Sequence, residues 1–312
     1  MNILISNYTG IGNFILKLPM VFSLLNNNQN SKIYFIGKKT YFIHQILKIN
    51  PKIEFIFLEN IWQILKFFLL KRNLFDEIYL PFDSSPNFLL FLSIFFKKKN
   101  LRIHYLVKNE KKNIKYHLKT IFLRIFYKNS NLINVRKNCH EIDLNYDLIN
   151  HLHINKIYTS LNEISHNIKT KKIQLNMENY IVIQPFSGNG ILSPKIWPYN
   201  YYFELIENIL INNKLNKYKI VLVGDQNEVS ENQFLFKNTK VINLIGKTSL
   251  NELFYIIKSS KIVISNDSSI MHIASLYNKD TIAIYGPTDF NRTKPLHENV
   301  KFAFSKSGVR FK

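Results

Sequence analysis

The chain has 312 residues, 46% of them hydrophobic, which suits about two folded domains and excludes a disordered or fibrous protein. Its 42 Lys and Arg against 21 Asp and Glu leave a net charge of +21, which favours anionic partners: nucleic acid, acidic lipid or a phosphorylated substrate. The single cysteine, Cys139, excludes a disulfide framework and a cysteine-based zinc site, and fits a reducing cytoplasm. Part of the basic excess belongs to a composition rich in Lys and Asn and poor in Ala and Gly, as an AT-rich genome would produce.

In chain order, Met1-Asn2-Ile3-Leu4-Ile5 lacks the basic start, apolar stretch and small-residue cleavage site of a signal peptide. The longest apolar runs, Ile61–Leu70 and Phe88–Phe96, fall short of a membrane span. A soluble or peripheral protein is expected. Strand-like runs at Asn2–Ser6, Lys32–Ile36, Glu54–Leu58, Glu77–Leu80 and Leu101–Tyr105 alternate with helix-length segments at Ile15–Leu25, Tyr41–Ile49 and Ile61–Lys71. That rhythm predicts βαβ units and a parallel sheet. Residues 160–178 are polar and Lys-rich without periodicity, and their later part, 166–178, reads as a linker. Strands restart at Tyr180–Gln184, Ile220–Val223, Lys240–Leu244, Lys261–Ser265 and Thr281–Tyr285. Before Lys261, Ser249-Leu-Asn-Glu252 reads as a capping box, followed by an apolar face of Leu250, Leu253, Phe254 and Ile257. The expectation is two doubly wound α/β domains in tandem, 1–165 and 179–312, with ligands at the carboxyl ends of their strands.

Four constellations could carry chemistry. Gly10-Ile11-Gly12-Asn13 follows the first strand and could let a ligand approach the backbone, or could simply be a tight turn. Gln184-Pro-Phe-Ser187-Gly188-Asn-Gly190, leading to Lys195-Ile-Trp197-Pro198, offers a hydroxyl, loop amides and a point charge to a phosphate, or is a flexible loop with a solvated lysine. Gly224-Asp225-Gln-Asn-Glu228 puts carboxylates at a strand end, suited to a ribose or to a surface turn. Asn266-Asp267-Ser268-Ser269-Ile-Met271-His272 runs from a strand into a helix whose N-terminus, with Ser268 and Ser269, could hold an anion. His272 lies one turn on, as a ligand contact or as a hydrogen-bonded core residue. There is no P-loop and no nucleophile elbow, and the nine histidines show no metal-ligand spacing.

Taken in order, these motifs resemble the heptosyltransferase family, glycosyltransferase family 9, of bacterial lipopolysaccharide synthesis. The resemblance is strongest over residues 180–293. It rests on Gln184–Gly188 with Lys195-x-Trp197-Pro198, Gly224-x-x-x-Glu228, Ile245-Gly-Lys-Thr-Ser249-Leu-x-Glu252-Leu253, Asn266-Asp-Ser-Ser-x-Met-His272-x-Ala274 and Tyr285-Gly-Pro-Thr-Asp289. Gly10-Ile-Gly12-Asn13 with Leu18-Pro19 resembles the acceptor-side motif, and Phe75-Asp76 to Asp83 a second stretch. The resemblance implies a GT-B fold, two Rossmann-like domains facing a central cleft. It implies an inverting, metal-independent transfer of heptose or a related sugar to a lipopolysaccharide core acceptor. The donor it implies is a nucleotide-diphosphate-sugar, ADP-heptose, as co-substrate, with no cofactor.

Carried onto this sequence, Ser187, Gly188 and Lys195 would meet the donor phosphate or sugar, and Glu228 the ribose. Asp267 would hold sugar hydroxyls, while Ser268, Ser269 and the helix behind them, with His272, would hold the pyrophosphate. Gly10, Gly12 and Asn13 would form the acceptor-side loop. Asn13 stands where the best-known members carry the Asp proposed as general base, and an amide cannot take that proton. Asp83, ending a strand on the same edge, is the first substitute, so Asn13, Asp83 and Lys195 are the catalytic positions to test. The alternative is a catalytically impaired nucleotide-sugar-binding protein of the same fold.

The charge is concentrated. Eleven Lys and Arg against one acid, Glu110, lie between Lys97 and Lys128, around an apolar helix face of Leu118, Ile121, Phe122, Ile125 and Phe126. This reads as a solvated basic face, or as a docking surface for the anionic inner leaflet and a phosphorylated lipid-linked acceptor. A monomer peripheral to the cytoplasmic face of the inner membrane is expected. Nucleic-acid binding is not, because the aromatics occupy core-like positions rather than a basic groove.

Overall fold

The computed structural model describes residues 1–39, 50–81, 101–105, 125, 127, 131–157, 161–173, 179–187, 195–228 and 238–304. The chain divides into two compact units, Met1–Thr159 and Ser160–Lys312. The expected helix at Tyr41–Ile49, the residues Asp83 and Gly188, and most of the basic stretch from Lys97 to Lys128 lie outside the described residues.

In the first unit, β1 (Asn2–Asn7) passes through α1 (Ile11–Ile15) and α2 (Leu18–Asn27) to β2 (Lys32–Gly37). Then come β3 (Ile53–Phe57), α3 (Ile61–Lys71), β4 (Glu77–Leu80), β5 (Leu101–Tyr105), β6 (Leu132–Asn134) and α4 (Glu141–Asp147). The six strands pair in parallel in the order β3-β2-β1-β4-β5-β6, with Ile3 opposite Ile33 on one side and Glu77 on the other. The single helix expected over Ile15–Leu25 is two helices. Pro19 has no N–H to donate and is tolerated only in a first turn, so the chain restarts at Leu18. Strand β6 was not anticipated: three residues are too few to show an alternation.

The second unit runs β7 (Tyr180–Gln184), α5 (Tyr199–Ile211), β8 (Lys219–Leu222), β9 (Val241–Asn243), α6 (Leu250–Ser259) and β10 (Ile262–Asn266). It continues with α7 (Ser269–Leu276), β11 (Asp280–Tyr285), α8 (Phe290–Thr293) and β12 (Val300–Phe304). Its sheet, also parallel, has the order β12-β11-β10-β7-β8-β9. Counted from β7, this is the same strand order as in the first sheet, with the reversal beside β7 as it is beside β1. Doubly wound sheets bind their ligands at that reversal. Strand β12 escaped the sequence reading because it is an edge strand with a partly exposed, mixed pattern.

The capping box forms as expected: the Glu252 carboxylate accepts from the Ser249 N–H at 3.0 Å and from its hydroxyl at 2.7 Å. Lys171 pairs with Glu252 at 2.9 Å, and these contacts hold that carboxyl down at about 2. The polar stretch ahead of β7 contains a short 3-10 helix, Asn162–Asn167, with Ile164 buried.

Alternation along each strand decides which face is apolar. In the first unit Leu4, Ile36, Ile78, Leu80, Leu101 and Ile103 pack with Ile64 and Phe68 of α3. In the second, Tyr202, Ile206 and Ile209 of α5 repeat at helical spacing and cover Ile181, Ile183, Ile220 and Leu222. The residues between those of the first face, Glu77 and Tyr79 on β4 and Arg102 and His104 on β5, fall on the opposite face. There His151 comes within 3.3 Å of the buried Glu77. Burial outweighs the nearby Arg102 and pushes the Glu77 carboxyl up to about 7; burial and Arg102 together push His151 down.

The sign of the Glu77 effect follows from the raised folded pKa. The folded state holds the Glu77 proton more tightly than the unfolded chain, so this contribution to stability is present at low pH. It is lost as pH rises through about 7. His151 contributes with the opposite sign, so the informative quantity is the difference between wild type and Glu77→Gln. Denaturant titrations across pH 5 to 8 should show the variant gaining on the wild type as pH rises.

Candidate active site

In the second unit the strand reversal is built around three buried polar residues. Gln184 ends β7, and its side-chain carbonyl accepts from the hydroxyl of Ser265, on the neighbouring strand β10, at 3.1 Å, and from that of Ser268. Ser268 is also the N-cap of α7, accepting from the Ile270 N–H at 3.2 Å. Its hydroxyl is therefore committed to Gln184, Ser265 and the Ile270 N–H, although Ser268 itself is only partly buried. Ser269 begins the helix. His272 is buried one turn on, in a helix whose residues from Ile270 to Leu276 are all buried.

Asn266, the last residue of β10, is fully buried. Its amide nitrogen donates to the Phe186 carbonyl at 3.2 Å, and its oxygen accepts from the Trp197 N–H at 3.0 Å. The two ends of the loop that contains Ser187 and Gly188 are thereby fastened to β10. Trp197 is held further by stacking on Tyr201 at 5.4 Å and an edge contact to Tyr202 at 5.0 Å. As a result Lys195, in the same loop, reaches Asp267: Nζ donates to Oδ2 at 3.0 Å, with Asp267 nearly buried and Lys195 one-third exposed. The Asp267 N–H donates to the Ile284 carbonyl at 3.0 Å, which fixes the carboxylate's origin. The second and fourth constellations of the sequence are one site.

The third constellation forms the turn after β8. Glu228 is buried, and its Oε2 accepts from the Asp225 N–H at 2.7 Å, closing the turn after β8 on itself. A Cβ at Gly224 would stand 2.5 Å from that oxygen and 3.0 Å from Ile245 Cγ2, so a larger residue there would have to displace the Glu228 carboxylate. The sequence pointed to Glu228 as a ribose contact; the structure adds that the same carboxylate organises the turn that presents it.

In the first unit the expected acceptor-side loop is the start of a helix: Gly10 is the N-cap of α1, and Gly12 and the half-buried Asn13 lie in its first turn. A Cβ at Gly10 would meet nothing within 4 Å, so the protein's own packing does not require glycine there. Sequence reasoning missed Lys17. It is completely buried, and its Nζ donates to Asn7 Oδ1 at 2.9 Å and to the Asn13 carbonyl at 3.1 Å. Asn7 in turn donates to the Thr9 carbonyl at 3.2 Å. A charged group so deep is tolerated only when its donors are met, and here meeting them ties the end of β1 to the loop. The available signal was a lysine in an otherwise apolar run, Phe14 to Val21.

A cavity of about 420 Å³ lined by Arg102, Ile133, Asn134, Arg136, Asp147, Asn150 and His151 also lies in the first unit. None of the sequence-predicted site residues lines it. Arg136 is committed there to Asp147 through two hydrogen bonds of 2.8 and 3.0 Å. Among the described residues no cluster of three or more His, Cys, Asp or Glu is arranged to hold a metal ion. Nor is any helix among them long and apolar enough to cross a membrane.

Two substitutions test this geometry. Asn266→Ala leaves the Phe186 carbonyl and the Trp197 N–H without their partner and should cost about 2 kcal/mol of stability by urea titration. Lys17→Met keeps the apolar stem but removes the donor shared by Asn7 and the Asn13 carbonyl. It should speed amide hydrogen exchange over residues 9–13 several-fold while leaving exchange in the second unit unchanged.

Known proteins similar to this chain point to one family and one type of fold. Residues 125–309 match the family described as glycosyltransferase family 9 (heptosyltransferase). Lipooligosaccharide heptosyltransferase 2 of Haemophilus influenzae is 36% identical over 110 residues, 33% of this chain and 31% of that protein. Lipopolysaccharide heptosyltransferase 2 of Escherichia coli is 30% identical over 113 residues, 34% of this chain and 31% of that protein. The matched segment thus spans about a third of the length of these curated relatives. Among solved structures, E. coli heptosyltransferase WaaC with ADP-2-deoxy-2-fluoro heptose superposes with a TM-score of 0.70 at 17% identity, over 99% of this chain and 95% of that one. A family 9 glycosyl transferase from Veillonella parvula gives 0.69 at 16% identity, over 97% and 86%. At such identities the likeness speaks for the GT-B type of fold, two parallel six-stranded sheets with helices.

Proposed function

The chain belongs to glycosyltransferase family 9, and on that premise we propose that it transfers heptose, or a related sugar, from ADP-heptose to a lipid-linked lipopolysaccharide core acceptor. The observation that carries this reading is the Lys195–Asp267 pair at 3.0 Å beside the first turn of α7. It supports a donor site in which a diphosphate meets a cation and helix amides, with a carboxylate next to them for sugar hydroxyls.

The proposed step is an inverting displacement. The acceptor hydroxyl oxygen attacks the anomeric carbon on the side opposite the diphosphate. The bond to the diphosphate breaks as the glycosidic bond forms, and the acceptor proton passes to a base. Negative charge grows on the leaving diphosphate, where Lys195 and the α7 amides are positioned to stabilise it. Ser187 and Gly188 join as loop donors and Glu228 as the ribose partner, with Ser269 at the pyrophosphate. Ser268, the N-cap of that helix, and His272, one turn on, complete the donor-side set in this reading. Transfer by this route is metal-independent and should be insensitive to EDTA.

On the acceptor side, Gly10 leaves open space for substrate, and Asn13 contributes an amide that cannot serve as base. We assign that role to Asp83. Asp83→Asn should lower turnover by about a hundredfold or more while donor affinity stays unchanged; full activity in this variant would remove Asp83 as base. Mass spectrometry of donor mixtures with truncated core oligosaccharides tests the function itself, the expected product carrying one added heptose. Asn13 also favours a second reading, a nucleotide-sugar-binding protein that has lost catalysis. ADP-heptose binding without turnover under every acceptor would select it.

A further inference from the structure

Helix α3 turns Ile64 and Phe68 into the core of the first unit. The opposite side of a helix on a water-facing surface is ordinarily polar. Here Trp62, Lys66, Leu69 and Leu70 stand at i, i+4, i+7 and i+8 on that side, with Trp62 76%, Leu69 63% and Leu70 68% exposed. Ile61 and Leu74, at the two ends, are also exposed. Isolated exposed apolar residues need no explanation, but a contiguous set with a tryptophan marks a contact surface.

The charges around this face choose its partner. Lys66 and Lys71 are exposed on the helix, and α3 contains no acid. The nearest acids in sequence are turned to other work: Glu59 accepts from the Lys39 N–H at 2.8 Å and Asp76 from the Asn2 N–H at 2.7 Å. Tyr127, near the end of the stretch with eleven Lys and Arg, packs in the same apolar cluster as Ile64 and Phe68. Ile125, two residues before it, is exposed. Exposed apolar side chains with a tryptophan at one end and the exposed Lys66 among them match an anionic lipid surface: the ring and leucines enter the acyl boundary while the ammonium group reaches the headgroups.

We propose that α3 is a membrane-docking helix, lying flat on an anionic bilayer through Trp62, Leu69 and Leu70, with Lys66 at the headgroups and the exposed Lys71 at the helix end adding to the basic charge. The surface is argued from exposure and charge; the choice of a bilayer as the working partner also rests on the lipid-linked acceptor proposed above.

The test uses the whole chain and vesicles of phosphatidylglycerol with phosphatidylethanolamine, against phosphatidylcholine vesicles. The wild type should co-sediment with the anionic vesicles, with tryptophan emission shifting to the blue, and should bind less tightly as salt rises from about 0.1 M to about 1 M. The triple variant Trp62→Ser, Leu69→Ser, Leu70→Ser should lose at least about tenfold in partitioning while keeping its thermal transition and its ADP affinity. Lys66→Glu with Lys71→Glu, both surface changes, should weaken binding to anionic vesicles only. A wild type that ignores these vesicles, or a triple variant that binds them as well as the wild type, overturns the proposal. So does a concentration-dependent dimer that the triple variant abolishes with vesicle binding unchanged, which would assign the face to a second copy of the chain. Vesicle binding lost in the triple variant, in a chain that transfers no sugar, supports the docking helix and counts against the catalytic reading alone.

Discussion

A buried amide must find partners for both its oxygen and its nitrogen, and at the end of β10 Asn266 finds them in two segments about seventy to eighty residues earlier in the chain. Meeting that requirement draws Phe186 and Trp197 onto one strand end and gives the intervening loop a fixed span. Lys195 is carried to Asp267 as a consequence. The neighbouring requirement, that Gln184 and Ser265 be satisfied between β7 and β10, takes up the Ser268 hydroxyl and sets the start of α7. Much of the charge arrangement in the second unit follows from these few buried polar contacts. An apolar residue at 266 could pack the strand and still leave the site unbuilt.

The first unit solves a similar problem with a charge in place of an amide. Lys17 is anchored under the loop by Asn7 and the Asn13 carbonyl, a costlier device than Asn266 because an ammonium group loses more hydration on burial. On the opposite sheet face, Glu77, Tyr79, Arg102 and His104 show that the fold tolerates an ionisable layer where a hydrophobic one would serve packing better.

The basic excess, broad as it is, resolves into different kinds of use. Lys195 and Lys17 are committed to the sites, Lys171 to the cap of α6, and Arg136 to Asp147. Lys66 and Lys71 remain at the surface among exposed apolar residues, where charge and hydrophobicity act together. Composition inflates the count of lysines; position decides which of them matter.

The alternation of strand and helix, both parallel sheets and the positions of ten of the twelve strands were legible in the sequence, because burial imposes a period on residues that are neighbours along the chain. The capping box at Ser249 was legible for the same reason: it is a local pattern. The strands β6 and β12 were not, one too short and one too exposed to carry a period, and Pro19 divided a helix that the apolar pattern had run together. Tertiary structure alone decided that Lys195 pairs with Asp267, that Glu228 closes its own turn, that Lys17 reaches back to Asn7, and that Trp62, Leu69 and Leu70 face outward. Each of these depends on which buried polar group must be satisfied, or which helix side is covered, by residues distant in sequence. A one-dimensional pattern records that a residue is polar or apolar, but its partner is chosen by packing.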